Sequence, residues 1–170
     1  GRFNPTTGFA DSESGRFPPR MSSSLPLFFF NQGISTCSWN CRGLVHHKPH
    51  IKELKVQEIF KLCSRFAIIG LLETYGSNSS LQAALSRCLR THLLFSSHVR
   101  DNNGATDTGS GGVAVLVLRT LFNPNSPIPE AQELSPGRAI LFPLFDMNAN
   151  KTCNFVLMHN YGFTAASTNT

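Results

Sequence analysis

The sequence predicts a layered α/β domain. Short apolar runs typical of strands alternate with two longer segments whose apolar residues recur at helical spacing, and glycine or proline fills the gaps between them. The chain has 170 residues, of which 41% are hydrophobic and 15% charged, so it carries enough apolar material for a core. A wholly disordered chain is therefore excluded.

The predicted elements follow one another from residue 34. Residues 34–39 read as a strand, and residues 51–64 as a helix with an apolar face opposite lysine and glutamate. Residues 67–72 are apolar except for one glycine, as in a strand buried on both faces. A shorter helix is predicted over 80–90, with arginines in its last turn, where they suit the helix dipole. Three further strands are predicted, at 113–118, 139–145 and 153–158.

Composition narrows the class of protein further. The formal charge of +5 and an isoelectric point near 9.2 favour a polyanionic partner. The mean hydropathy is −0.09, and no stretch approaches the ~18 consecutive apolar residues of a spanning helix, so we expect no membrane span. Five cysteines without CxxC spacing predict reduced thiols rather than a disulfide framework or a four-cysteine zinc site.

Residues 1–32 differ in amino-acid composition from the rest of the chain. They are rich in serine, glycine, phenylalanine and proline, and four prolines interrupt any regular period, so we expect a disordered leader without packed secondary structure. Residues 33–170 form the predicted domain. Met21 as the true start of the protein stays open as an alternative.

Polar residues follow three of the predicted strands. Asn40 follows the first, Glu73 follows the strand at 67–72, and His159 and Tyr161 follow the strand at 153–158. Ligands of such sheets usually bind beyond the carboxyl ends of the strands, and a carboxylate beside an amide supplies the oxygen ligands that Mg²⁺ accepts. This arrangement points to phosphoester chemistry.

Five motifs in these positions resemble, in order, the N-terminal motifs of the endonuclease/exonuclease/phosphatase superfamily. Their style is most similar to that of endonuclease domains of non-LTR retrotransposons. The motifs are Ser38-Trp39-Asn40-Cys41-Arg42-Gly43-Leu44, Leu71-Leu72-Glu73-Thr74, Gly111-Gly112-Val113-Ala114-Val115, Pro136-Gly137-Arg138-Ala139 and Met158-His159-Asn160-Tyr161-Gly162.

The resemblance implies a fold, an activity and a site. The fold would be a mixed α+β, four-layer α/β/β/α sandwich of the deoxyribonuclease-like type, of which this chain holds the N-terminal portion. The activity would be Mg²⁺-dependent hydrolysis of phosphodiesters, with Mn²⁺ as a possible substitute and DNA as the substrate. By position, Asn40 and Glu73 match metal ligands, and Tyr161 matches a tyrosine that contacts the phosphate. A reverse transcriptase domain in the full-length chain and a nuclear location would follow from a retrotransposon origin.

The sequence also departs from the family pattern. Tyr75 stands where many relatives have histidine, and His159 stands where many have asparagine. The family's later Asp-x-Asn pair and Ser-Asp-His segment do not occur after the tyrosine motif, so we expect this chain alone to be inactive. Two alternatives stay open: a phosphatase or other phosphoesterase of the same superfamily, and a noncatalytic remnant.

Each candidate residue also has a purely structural interpretation. Asn40 could cap its own turn, Glu73 could be a solvated carboxylate, and Tyr161 could pack at the rim of the sheet. A zinc cluster at His46, His47 and His50 is not expected, because no second paired ligand set accompanies them. Residues 109–112 are expected to form a flexible loop rather than a phosphate cradle, since a strand follows them instead of a helix.

Overall fold

The computed structural model of the chain describes residues 33–45, 48–107, 109–146 and 150–159. Within these ranges the fold is mixed α/β, with two sheets and two α-helices, which confirms the predicted class at this level. The predicted leader at 1–32 and the candidate residue Tyr161 lie outside the described residues. The α-helices are α1 (Pro49–Cys63) and α2 (Asn78–Ala84), and single turns of 3-10 helix occupy Cys88–Arg90 and Arg119–Leu121.

The larger sheet mixes parallel and antiparallel pairing. Its strands are β1 (Thr36–Asn40), β2 (Ile68–Leu72), β3 (His92–Ser97) and β4 (Val113–Leu118). They lie in the order β1-β2-β4-β3, with β1 parallel to β2 and the other two pairs antiparallel. Helix α1 provides the crossover between the two parallel strands, because parallel neighbours need such a connection.

The smaller sheet is an antiparallel meander. It contains β5 (Gln132–Ser135), β6 (Ala139–Asp146) and β7 (Lys151–Met158), with β6 in the centre. The pairing of β6 with β7 runs without interruption from Ala139 opposite Met158 to Asp146 opposite Lys151. The end of β7 is thereby fixed in register.

The larger sheet buries both of its faces. On one face Ile69 packs in a core that includes Ile59 of α1, and on the other Ile68 and Val115 pack in a core that includes Phe142 of β6. Alternation of side chains along each strand produces this division, since successive residues point to opposite faces. The described residues therefore stack in three layers: helices, larger sheet and smaller sheet.

Aromatic rings join the two sheets. Phe142 is fully buried, and its ring stacks on Phe95 at 5.8 Å and on Phe155 at 5.5 Å between centroids. Gly70 allows the close approach, because a Cβ at this position would lie 2.6 Å from Leu157 Cδ1 of β7. A larger residue at position 70 would require the end of the Leu157 side chain to move.

The structure differs from the predicted elements mainly in the middle of the chain. The helix predicted at 80–90 is instead α2, which begins earlier, followed by the separate turn Cys88–Arg90. Ser77 sets the earlier start, because its hydroxyl accepts from the Ser80 amide while the Ser80 hydroxyl accepts from the Ser77 amide. Strands β3 and β5 were not predicted, since β3 does not alternate cleanly and β5 is short and mostly exposed.

Among the residues that the structure describes, no helix combines the length and apolar character needed to cross a bilayer. This agrees with the expectation that the chain contains no membrane span.

Candidate metal centre

The parallel pairing of β1 and β2 brings Asn40 and Glu73 together. Asn40 ends β1 opposite Leu72, the last residue of β2, and Glu73 follows directly. The carboxyl ends of parallel neighbours meet at one edge of a sheet, so both side chains project from the same edge. Asn40 Nδ2 donates to Glu73 Oε1 at 3.0 Å. The structure thus places side by side the two residues predicted as metal ligands, while their role as ligands stays a prediction.

The backbone around this pair continues the hydrogen bonding of the strands into the loops. The Cys41 amide donates to the Leu72 carbonyl at 2.8 Å, the Gly43 amide to the Glu73 carbonyl at 2.8 Å, and the Leu44 amide to the Thr74 carbonyl at 2.9 Å. The two loops after β1 and β2 are therefore held to each other. Their side chains are presented from a fixed backbone rather than from free loops.

Three residues of these loops adopt the left-handed backbone region although none is glycine. The φ angles are +47° at Arg42, +53° at Glu73 and +55° at Tyr75. This region disfavours side chains with a Cβ, at roughly 1–2 kcal/mol per residue. Non-glycine residues in this conformation cluster at functional sites in proteins, and here they surround the Asn40–Glu73 pair.

Lys55 of α1 is hydrogen-bonded to the loop after β1. Its Nζ donates to the Arg42 carbonyl at 2.9 Å and to the Gly43 carbonyl at 2.8 Å. The Asn40 side chain adds a further bond within the loop, as its Oδ1 accepts from the Arg42 amide at 3.0 Å. Asn40 therefore forms the turn-capping bond of its structural interpretation and also contacts Glu73.

Histidine 159 approaches the same carboxylate from the smaller sheet. It follows the last residue of β7, and its Nε2 lies 3.6 Å from Glu73 Oε1. The His159 and Glu73 side chains are 13% and 21% exposed, so solvent reaches the pair only in part. The His159 amide donates to the Arg138 carbonyl at 2.8 Å, which fixes the backbone beside the site. Two sheets thus contribute side chains to one cluster: Asn40, Glu73 and His159.

The glycine motifs of the sequence lie behind this cluster. The Thr74 amide donates to the Gly112 carbonyl at 3.1 Å, and the Gly112 amide donates to the Gly137 carbonyl at 3.1 Å. Gly112 has φ of +85°, and a Cβ there would lie 2.6 Å from Thr74 Oγ1. The segment 109–112 lies in a loop, as predicted, and its last residue makes backbone contact with the loop that carries Glu73.

Cys41 directly follows Asn40 in the chain but has the character of a core residue. Its side chain is 1% exposed, and burial raises the pKa of the Cys41 thiol to about 12. A thiol with this pKa stays protonated at neutral pH and is a poor nucleophile. All five cysteines are free, which confirms the predicted reduced thiols.

A cluster of three or more histidine, cysteine, aspartate or glutamate side chains suited to a metal is not found in the ranges 33–45, 48–107, 109–146 and 150–159. His46, His47 and Tyr161 lie outside the described residues.

Comparison with known proteins adds no assignment. The chain matches no protein-family model and no curated protein sequence.

Two contributors to the site were missed in the sequence. Lys55 was not singled out, because nothing in a single sequence shows which carbonyls a lysine reaches. His159 carried a signal, since it departs from the family pattern two residues before Tyr161. Its contact with Glu73 depends on the packing of the two sheets, which the sequence does not specify.

Proposed function

We propose that the chain is the N-terminal part of a divalent-metal-dependent phosphodiesterase that acts on DNA. In this proposal it belongs to the endonuclease/exonuclease/phosphatase superfamily and is similar to retrotransposon endonuclease domains. Its complete fold is the four-layer α/β/β/α sandwich of the deoxyribonuclease-like type. The described residues form a helical layer, a larger sheet and a smaller sheet packed in that order, which would account for three of the four layers.

One observation carries the proposal. Asn40 and Glu73 follow the ends of two adjacent parallel strands, and Asn40 Nδ2 donates to Glu73 Oε1 at 3.0 Å, on loops whose backbones are hydrogen-bonded to each other. The sequence motifs assign metal binding to the same two residues, Asn40 and Glu73. Pattern and geometry therefore support one hypothesis from independent directions.

The donor chemistry of this pair fits a magnesium ion. Mg²⁺ is commonly held by one or two protein oxygens and keeps several waters for exchange with substrate phosphate oxygens. Glu73 offers carboxylate oxygens, and Asn40 Oδ1 has a second lone pair besides the one used by the Arg42 amide. A bound divalent ion supplies Lewis-acid polarisation of a phosphoryl oxygen and a bound water of lowered pKa. Asn40 and Glu73 would hold the ion, and Tyr161 would contact the phosphate.

The charge of the chain favours a polymeric phosphodiester over a small phosphomonoester. The formal charge is +5, and the exposed residue Arg42 lies two positions after Asn40 on the supported loop. An arginine beside a phosphodiester site can contact a neighbouring phosphate of a nucleic-acid backbone. Such contacts make affinity for DNA depend on salt concentration.

Metal binding tests the site directly. The full chain is titrated with Mn²⁺, with free Mn²⁺ measured by electron paramagnetic resonance and Mg²⁺ added as competitor. We expect one Mg²⁺-competable site, weakened at least about tenfold by Glu73→Gln and by Asn40→Ala. Glu53→Gln removes an exposed carboxylate of α1 and is the matched control, with no expected change. Equal binding in wild type and Glu73→Gln would refute the proposed centre.

DNA binding separates the proposal from its alternatives. Fluorescence anisotropy with a short duplex should show affinity that falls with salt, and Arg42→Ala should reduce the salt slope by about one. Inorganic phosphate that displaces DNA stoichiometrically would favour a phosphomonoesterase of the same superfamily. Absence of both metal and DNA binding would favour the noncatalytic remnant.

A further inference from the structure

We propose that His159 is a third, nitrogen ligand of this metal centre, so that the site prefers ions that accept imidazole over Mg²⁺. The inference rests on the proposed function, because it assumes that Asn40 and Glu73 bind a divalent ion. It goes further by assigning a ligand that the motif pattern does not contain. It also predicts the class of metal that this chain selects.

The distance between His159 and Glu73 carries the argument. Nε2 and Oε1 are 3.6 Å apart, which is longer than a hydrogen bond between nitrogen and oxygen. Two ligand atoms on one ion at about 2.0–2.1 Å lie roughly 3.0 Å apart in octahedral and roughly 3.3 Å apart in tetrahedral coordination. The separation of Nε2 and Oε1 exceeds these spacings by about 0.3–0.6 Å, so a small side-chain shift would bring both atoms onto one ion.

The three side chains also have the right composition for such an ion. Glu73 Oε1 accepts from Asn40 Nδ2 at 3.0 Å and lies 3.6 Å from His159 Nε2, while Asn40 Oδ1, the atom that would bind a metal, accepts from the Arg42 amide. An amide oxygen, a carboxylate and an imidazole form a mixed nitrogen and oxygen set. Imidazole suits zinc and similar transition metals, whereas Mg²⁺ takes oxygen ligands.

The backbone holds His159 in this position from outside the cluster. Its amide donates to the Arg138 carbonyl at 2.8 Å, directly after the continuous pairing of β7 with β6. On the other side, Glu73 follows a strand paired to both β1 and β4. The imidazole and the carboxylate therefore approach each other from two separately fixed sheets, as ligands of a prearranged site do.

Spectroscopy on the full chain tests the assignment without any need for turnover. The Mn²⁺-loaded protein is examined by electron spin echo envelope modulation, which detects a ¹⁴N nucleus bound to the ion. We expect an imidazole nitrogen signal in the wild type that disappears in His159→Asn and in Glu73→Gln. His50→Asn, which removes an exposed histidine of α1, is the matched control and should keep the signal.

Calorimetry gives the corresponding selectivity. We expect His159→Asn to reduce the ratio of Zn²⁺ to Mg²⁺ affinity at least about tenfold, because it leaves an oxygen-only set. Circular dichroism shows whether each variant is folded. The nitrogen signal of the wild type is measured without any variant, so it tests the assignment even if a variant fails to fold. A loaded wild type without the nitrogen signal, or a signal that persists in His159→Asn, overturns the assignment. In both of those results Glu73-dependent metal binding still supports the proposed function, whereas binding insensitive to Glu73→Gln overturns both.

Discussion

Replacement of Lys55 by methionine tests whether α1 supports the loop that carries Asn40. The Lys55 ammonium group donates to the carbonyls of Arg42 and Gly43 at 2.9 and 2.8 Å. Methionine keeps most of the apolar stem but removes both bonds. Hydrogen bonds to charged groups contribute about 1.5–3 kcal/mol each when shielded. Since Lys55 is partly exposed, water replaces much of this hydrogen-bond energy in the variant. We expect the free energy of unfolding to fall by about 1–2 kcal/mol in total.

Chemical denaturation followed by circular dichroism measures this loss as a shift in the free energy of unfolding. Lys61→Met is the matched control on the same helix, because Lys61 pairs with Glu58 at 2.6 Å while both side chains are largely exposed. Exposed pairs of this kind contribute about 0.3–0.5 kcal/mol. Hydrogen exchange provides a local readout, and the Gly43 amide should exchange about tenfold faster in Lys55→Met than in Lys61→Met. Equal stability and equal exchange in the two variants would refute the supporting role of Lys55.

Three further changes test the packing of the two sheets and the acid sensitivity of the fold. Phe142→Ala removes the central ring of the aromatic stack between the sheets and should lower the free energy of unfolding by about 3–5 kcal/mol in denaturant titrations. Phe145→Ala on the same strand, where the residue is 49% exposed, should change that free energy by less than about 1 kcal/mol. Gly137→Ala should lower the melting temperature by several degrees, because Gly137 has φ of +66° and a Cβ there would lie 2.5 Å from the Val99 amide nitrogen; an unchanged melting curve would contradict this contact. Burial lowers the pKa of His92 in the folded state, so the unfolded chain binds the proton first, and stability should fall as pH drops below about 6.5. His92→Gln should show a weaker pH dependence of the melting temperature than wild type, and an identical dependence would rule out this contribution.

Continuous apolar runs in the sequence predicted three of the strands closely. The strand at 113–118 coincides with β4, and those at 67–72 and 139–145 differ from β2 and β6 by one residue at an end. These strands are central or well paired, and their apolar runs are continuous. By contrast β5, with three exposed residues of four, carries no apolar pattern, and its pairing with β6 alone defines it. Local pattern therefore identifies strands with continuous apolar runs. It misses β5, which is held by main-chain pairing, and β3, which packs against the core but does not alternate cleanly.

Some residues of the candidate site could be predicted from local sequence, and others could not. Asn40 and Glu73 could be predicted because each follows an apolar strand and because the ends of parallel neighbours converge. The positions of Lys55 and His159 depend on the crossover of α1 and on the contact between two sheets. Those are long-range arrangements that no local spacing encodes. Tyr161 stays a prediction, since it lies outside the described residues.

The left-handed backbone at Glu73 has a consequence for how this position would change under selection. Glycine would relieve the unfavourable φ of +53° there, so a chain selected only to fold would gain stability from losing the carboxylate. Deep mutational scanning for stability and for metal retention should therefore rank glycine and glutamate at position 73 in opposite orders. A position where the two rankings conflict identifies a side chain maintained for its chemistry at the expense of the fold.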